Sequence, residues 1–198
     1  MLRKFRLALA QINPTVGDIT GNTVRILEYL ARAREAQADL VAFPELAITG
    51  YPPEDLLLRP SLDLRIAEAL ERLQQANLEP AMVIGAPVRS GGLLYNAAVV
   101  IEKGEIRGRY FKRCPPNYQV FDEKRYFAEG RDTLVMEFKG VPVGITVCED
   151  IWKDGPLEDA AAAGAQLILN LNASPYDIDK QARRKALLER KSRENLVS

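Results

Sequence analysis

Short apolar runs alternate with segments of helical period along the whole chain, and this rhythm constrains the architecture more than any other feature. A helical bundle would lack the intervening runs, and an all-β sandwich would lack the helical segments. The spacing predicts strands over Leu7–Ile12, Asp39–Phe43, Ala81–Val88, Leu94–Ile101 and Ile106–Phe111, and then over Thr133–Phe138, Val141–Cys148 and Leu167–Leu171. A helix is expected to follow Asn22, which would cap it, with Val24, Leu27, Leu30 and Ala31 on its apolar face. Further helices are expected near Leu62–Gln75, over Leu157–Ala163 closed by Gly164, and over Lys180–Arg193. Gly91–Gly92, Lys103–Gly104 and Lys139–Gly140 read as hairpin turns, and Cys114–Phe127 as an irregular aromatic loop. There is no internal repeat and no linker-like tract, so the expectation is one α/β domain.

At 198 residues with 47% apolar content, such a domain can bury a sizeable core. Twenty-seven Lys plus Arg balance twenty-seven Asp plus Glu, so no net charge draws the chain to nucleic acid or to an anionic membrane. The terminal segment from Lys180 to Asn195 carries seven basic residues against two glutamates, which reads as a solvated helix. The N-terminal apolar run stops at Gln11, too short for a secretory core, and the uncharged stretch Ala160–Tyr176 is broken by Gln166, Asn170 and Asn172. With only Cys114 and Cys148, no disulfide framework is indicated, and a reducing cytoplasm is the expected location.

Histidine is absent, which removes Ser-His-Asp triads, Cys-His dyads and the usual zinc sites. Acid–base chemistry must use Asp, Glu, Lys, Cys or Tyr. In the run VPVGITVCEDIW, Val141–Trp152, Cys148 stands where an apolar strand gives way to two carboxylates. Strand ends in α/β sheets face the crevice where ligands bind, so Cys148 is placed as a nucleophile, although a small buried hydrophobe is an equal reading of the local sequence. Glu45 occupies a similar strand end in VAFPELAITGYP, where a carboxylate could accept a thiol proton or simply be solvated. Lys112 ends the strand Ile106–Phe111, as an oxyanion partner or as a surface lysine.

Taken together, these three residues carry a resemblance. In the nitrilase, or carbon–nitrogen hydrolase, superfamily one Glu, one Lys and one Cys follow in this chain order on separate strand ends, and here they match Glu45, Lys112 and Cys148. Within that superfamily the chain closely resembles the glutaminase domain of the glutamine-dependent NAD synthetases. The likeness is carried by AQINPTVGDITGN at Ala10–Asn22, FPELAITGYPPEDLL at Phe43–Leu57, PNYQVFDEKRYF at Pro116–Phe127 and CEDIW at Cys148–Trp152. It implies a four-layer α-β-β-α sandwich that hydrolyses the side-chain amide of L-glutamine through a cysteine thioester. The ammonia would serve ATP-dependent NAD synthesis from deamido-NAD.

The resemblance also implies a glutamine-binding set of Tyr118, Ser174 and Lys180 and an oxyanion contact from the backbone amide of Glu149, although Ser174 also reads as a turn residue and Lys180 as a solvated helix start. Tyr51 reads equally as a residue of the pocket mouth or of the core. No cofactor is expected in this chain; ATP and Mg2+ are expected in a synthetase domain outside residues 1–198. Residues 1–198 are expected to be a glutamine amidohydrolase domain whose family counterpart continues for several more strands, and to form a homo-oligomer. Two departures bear on the loop before the binding Tyr. Pro115 stands where the family has Leu, and Gln119 stands where it has a Gly able to take positive φ. The rival readings are another carbon–nitrogen hydrolase, such as an ω-amidase or carbamoylase, and a non-catalytic, partner-binding remnant.

Overall fold

The computed structural model describes residues 4–77 and 79–198. Its strands are β1 (Leu7–Leu9), β2 (Leu40–Ala42), β3 (Ala81–Ser90), β4 (Leu93–Glu102), β5 (Glu105–Phe111), β6 (Leu134–Phe138), β7 (Val141–Val147) and β8 (Leu167–Leu171). Its α-helices are α1 (Ile19–Glu35), α2 (Pro60–Ala76), α3 (Pro156–Ala162) and α4 (Lys180–Asn195). The first five strands form one sheet in the order β1-β2-β3-β4-β5, with β1, β2 and β3 parallel and β4 and β5 added antiparallel. The second sheet runs β6-β7-β8, antiparallel and then parallel.

Strand periodicity explains how these pieces stack into four layers. On β3 and β4, Met82, Ile84, Val99 and Ile101 face one way and meet Ile26, Leu30, Leu62, Ile66 and Leu73 of α1 and α2. The alternate residues Val83, Ala98 and Val100 face the other way, where Val143, Ile145 and Val147 of β7 and Leu169 and Leu171 of β8 close a second core between the sheets. Beyond the small sheet, Ile168 packs with Leu157 and Leu187 on α3 and α4. The nitrilase-like α-β-β-α sandwich is therefore the fold of the chain.

The hairpins sit where the sequence puts them, with Gly91, Gly92, Lys103, Gly104, Lys139 and Gly140 all at positive φ. Asn22, however, does not cap α1. The cap is Asp18, whose carboxylate accepts from the Gly21 N–H at 3.0 Å. Asn22 lies one turn inside the helix and is buried, tying Thr15 at 2.8 Å and 2.7 Å and the Ile48 carbonyl at 3.0 Å. The buried face shifts accordingly to Ile19, Thr23, Ile26, Leu30 and Ala33, leaving Val24 exposed. The first strand also ends three residues earlier than its apolar run. Gln11 N–H turns back onto the Leu9 carbonyl, and the chain leaves the sheet.

Candidate active site

Three loops at strand ends converge at one end of the sandwich. The first follows β2 and lies directly over β3 at Gly85, where a Cβ would stand 2.2 Å from the Leu46 nitrogen and 2.5 Å from the Pro44 oxygen. Glycine at 85 is thus what lets Glu45 come down onto the sheet. The second follows β5 and carries Lys112, whose N–H donates to the Asn96 carbonyl on β4 at 2.8 Å. The third follows β7, where Cys148 takes a φ of 48° and opens a short 3₁₀ turn through Trp152. Positive φ in a non-glycine residue is strained, and here it turns the thiol out of the strand direction at the sheet's end.

Glu45 and Lys112, predicted from separate strand ends, are in contact. Lys112 Nζ donates to Glu45 Oε1 at 2.8 Å, and both side chains are fully buried. The sequence reading missed a second carboxylate: Glu123 also receives Lys112 Nζ, at 2.8 Å and 2.9 Å, and the hydroxyl of Tyr51 at 2.9 Å. It missed Asn96 as well, whose Nδ2 donates to Glu45 Oε1 at 2.8 Å and to Glu123 Oε2 at 3.2 Å. A lone Asn inside the apolar strand LLYNAAVV was the available signal, because a polar group there needs partners. Glu123 gave none, being one of five charged or amide residues in QVFDEKR.

Cys148 is buried, and its Sγ lies 3.5 Å from the hydroxyl of Ser174, just past β8. The adjacent Ala173 N–H donates to Glu45 Oε2 at 3.1 Å, so one short segment touches both the thiol and the carboxylate. Burial, followed by the charge of Glu45, pushes the Cys148 thiol up to about 12, against the pull of Lys112 and the Ser174 hydrogen bond. The thiol is therefore protonated at neutral pH, and attack by sulfur requires a base to take that proton. Burial alone would lower the Lys112 ammonium, but Glu45, Cys148 and Glu123 outweigh it and hold it above the ordinary lysine range. Burial raises Glu123, with Lys112 opposing.

Asp150, two residues after Cys148, was not singled out from the sequence. Its Oδ1 accepts from the Arg113 and Cys114 N–H groups at 3.1 Å and 2.8 Å, and its Oδ2 from the Tyr110 hydroxyl at 2.8 Å and the Val147 N–H at 3.0 Å. One buried carboxylate thus ties the cysteine turn to the lysine loop. Cys114 itself is pushed up to about 11 by burial and by Asp150, the wrong direction for a nucleophile.

The remaining candidates form a looser group. Tyr118 donates to Glu149 Oε2 at 2.8 Å, and Lys153 approaches Glu149 Oε1 at 3.5 Å. Burial and the Glu149 hydrogen bond push the Tyr118 hydroxyl up to about 12. Lys180, at the start of α4, lies over the Phe121 ring with Nζ 5.5 Å from its centroid, outside the Glu45–Lys112 cluster. Gln119 does adopt the left-handed conformation expected of glycine, with φ 52°, and the Phe121 N–H closes onto the Tyr118 carbonyl at 2.9 Å. That strain costs about 1–2 kcal/mol and is absorbed by the turn. Tyr51 lines a groove of about 910 Å3 between the edge strands β1 and β8, which meets the cluster at Glu45, Tyr51 and Ser174; Cys148 and Lys112 do not line it.

Two facing sheets between helical layers, with a cysteine turn and a lysine held by carboxylates at one end, define a carbon–nitrogen hydrolase framework. The Carbon-nitrogen hydrolase family matches residues 6–189, and the chain belongs to that family. Over 195 residues it is 50% identical to the glutamine-dependent NAD(+) synthetase of Xanthomonas campestris pv. campestris, covering 96% of this chain and 35% of that protein. The glutamine-dependent NAD+ synthetase of Acinetobacter baumannii, solved in complex with adenosine diphosphate, superposes with a TM-score of 0.94 at 39% identity, over 98% of this chain and 37% of that one. A mutant amidase from Nesterenkonia sp. AN1, with acrylamide added at its active site cysteine, gives a TM-score of 0.88 at 27% identity, over 98% of this chain and 76% of that one. The chain thus spans about 35% of the length of the curated synthetase. No helix among the described residues is long and apolar enough to cross a membrane.

Proposed function

We propose that residues 1–198 are a glutamine amidohydrolase domain that releases ammonia from L-glutamine for ATP-dependent synthesis of NAD from deamido-NAD. The observation that carries this reading is the convergence of Glu45, Lys112 and the Ser174-bound thiol of Cys148 on one buried centre. Glu45 takes the thiol proton as sulfur attacks the side-chain amide carbon. Lys112 and the backbone N–H of Glu149 hold the oxyanion. The proton passes from Glu45 to the leaving nitrogen, and ammonia departs. Water then attacks the thioester with Glu45 as base, the proton returns to sulfur, and glutamate leaves. Tyr118, Ser174 and Lys180 bind the amino-acid end of the substrate, where a hydroxyl or a cation suits an α-carboxylate.

This chemistry is assigned to the chain's own side chains, and ATP and Mg2+ to a synthetase domain outside it. The 50% identity to a glutamine-dependent NAD(+) synthetase supports that division. The same reading places the protein in the cytoplasm as a homo-oligomer, with glutamine and the synthetase domain as its partners.

The test is incubation with a glutamine-mimicking diazoketone, followed by mass spectrometry of the labelled peptides. A single adduct on Cys148, prevented by glutamine, is expected. Label on Cys114, or none on a chain that melts cooperatively, overturns the assignment. Substrate profiling against ω-amides and carbamoyl compounds separates glutamine from the substrates of other carbon–nitrogen hydrolases.

A further inference from the structure

Asn96 is buried at the centre of β4, directly between the two carboxylates that share Lys112. Its backbone carbonyl receives the Lys112 N–H at 2.8 Å, and its side-chain Nδ2 donates to Glu45 Oε1 at 2.8 Å and Glu123 Oε2 at 3.2 Å. In this orientation the amide oxygen, also buried, has no hydrogen-bond partner among the described residues. Turning the amide over would leave Nδ2 unpaired instead and aim Oδ1 at two carboxylates. The side chain therefore leaves one of its own groups unpaired in order to donate to both acids, and unpaired buried groups are rare without a functional reason.

We propose that Asn96 is a positioning residue for the acid–base pair. Its amide bridges Glu45 and Glu123 and pins Glu45 by Oε1, leaving Oε2 turned toward the Ala173–Ser174 segment that touches the thiol. Among the described residues, Glu45 Oε1 then carries two donors, Lys112 Nζ and Asn96 Nδ2, whereas Oε2 carries only the Ala173 N–H. An uncharged donor is the group required here: it stabilises both anions without adding a proton that could pass to either, as a second lysine would. The groups facing the pair are Lys112 from the end of β5, Tyr51 from the loop after β2, and the Cys148 thiol from the turn after β7. Lys112 also spans the two acids, so Asn96 is the uncharged one of two bridges between them.

The activity arm of the test rests on the amidohydrolase reading, and the alkylation arm does not. In a Cys114→Ser background, the rate of Cys148 alkylation by iodoacetamide is measured against pH for the parent, Asn96→Ala and Asn96→Thr. Loss of a donor to an anion raises its proton affinity, so the acid limb for Asn96→Ala is expected to move up by about one pH unit, the size of one hydrogen bond to a charged acceptor. Asn96→Thr fills more of the space and keeps one hydroxyl donor, so its limb should fall between the other two. Glutamine turnover should drop about tenfold or more at neutral pH, with KM changed much less. An acid limb at the parental pH in either folded variant, even with a lowered melting temperature, makes Asn96 a packing residue and overturns the proposal. If Asn96→Ala does not fold, Asn96→Thr decides. A parent that alkylates at Cys148 but does not hydrolyse glutamine sinks the substrate assignment and leaves the alkylation limb to judge Asn96.

Discussion

Two lysines in this molecule are buried to the same degree and do opposite work. Lys112, on the loop after β5, is enclosed with Glu45 and Glu123, whose side chains are 0% and 6% exposed. Lys191, on α4, pairs with Glu158 at 2.7 Å and Asp154 at 3.4 Å and donates to the Lys153 carbonyl at 2.8 Å, but the side chains of those acids are 35% and 95% exposed. In the first centre the cation and Glu45 are closed off from water and Glu123 nearly so, so the charges there face one another rather than solvent. In the second, the lysine is a strap that holds a terminal helix to the layer beneath, and its anions stay solvated. A buried ammonium is therefore poised for chemistry only where its counter-ions are buried with it.

The sharpest way to break this contrast is through the thiol beside the first centre. Cys148→Ser is expected to abolish glutamine hydrolysis while leaving the melting temperature nearly unchanged, because the hydroxyl is a far poorer nucleophile of almost the same size. Cys114→Ser should leave turnover near the parental rate. Ammonia release from both variants checks this, and comparable losses would show that Cys148 is not the sole nucleophile.

Next in size is the centre itself. Lys112→Met and Glu45→Gln should each lower turnover by about 10²–10⁴-fold, with much less effect on glutamine binding. Lys112→Met should also cost about 3–5 kcal/mol of stability, since it leaves two carboxylates buried without their cation. Glu45→Gln, in which Lys112 keeps Glu123, should cost clearly less. Denaturant unfolding and steady-state kinetics on the same samples would settle both points; equal stability losses would contradict the shared-cation geometry.

Lys191→Met should destabilise the fold by only about 1–2 kcal/mol, because its former partners retain water. Turnover should stay within about twofold of the parent, as expected for a remote and independent site. A large drop in turnover would show that the strap and the reacting centre are one unit.

The smallest effect is a difference in pH. Lys191 and the Gly155 N–H, working against burial, hold Glu158 below its ordinary 4.5, so that pairing stabilises the fold above about pH 4.5 and is lost as pH falls through the depressed value. Burial instead holds Glu123 above its ordinary value, so protonation there favours the folded state as pH falls toward 4.5. The stability deficit of Lys112→Met should therefore be relieved at a higher pH than that of Lys191→Met. Melting curves from pH 7 to pH 3 check the order, and relief at the same pH in both would erase the distinction.

The sequence by itself determined the α/β class and the order of strands and helices, and it marked three candidate strand ends. Short apolar runs mark the strands, Leu167–Leu171 to the residue, because strands buried on both faces read as nearly continuous apolar stretches. Glu45, Lys112 and Cys148 were legible because each interrupts an apolar run where a strand stops. Only the tertiary structure decided which charges meet. Glu123 lies in an irregular loop whose path depends on contacts to Tyr51 and Lys112, and Asn96 gains its meaning from two acids that are 51 and 27 residues away. The α1 cap moved from Asn22 to Asp18 for a related reason: an amide can cap a helix or bridge two loops, and the nearby Thr15 and Ile48 backbones claimed it. Periodicity records burial, which is a property of each residue's own face, whereas a hydrogen-bond network is a property of distant residues together and is set by how the sheets pack.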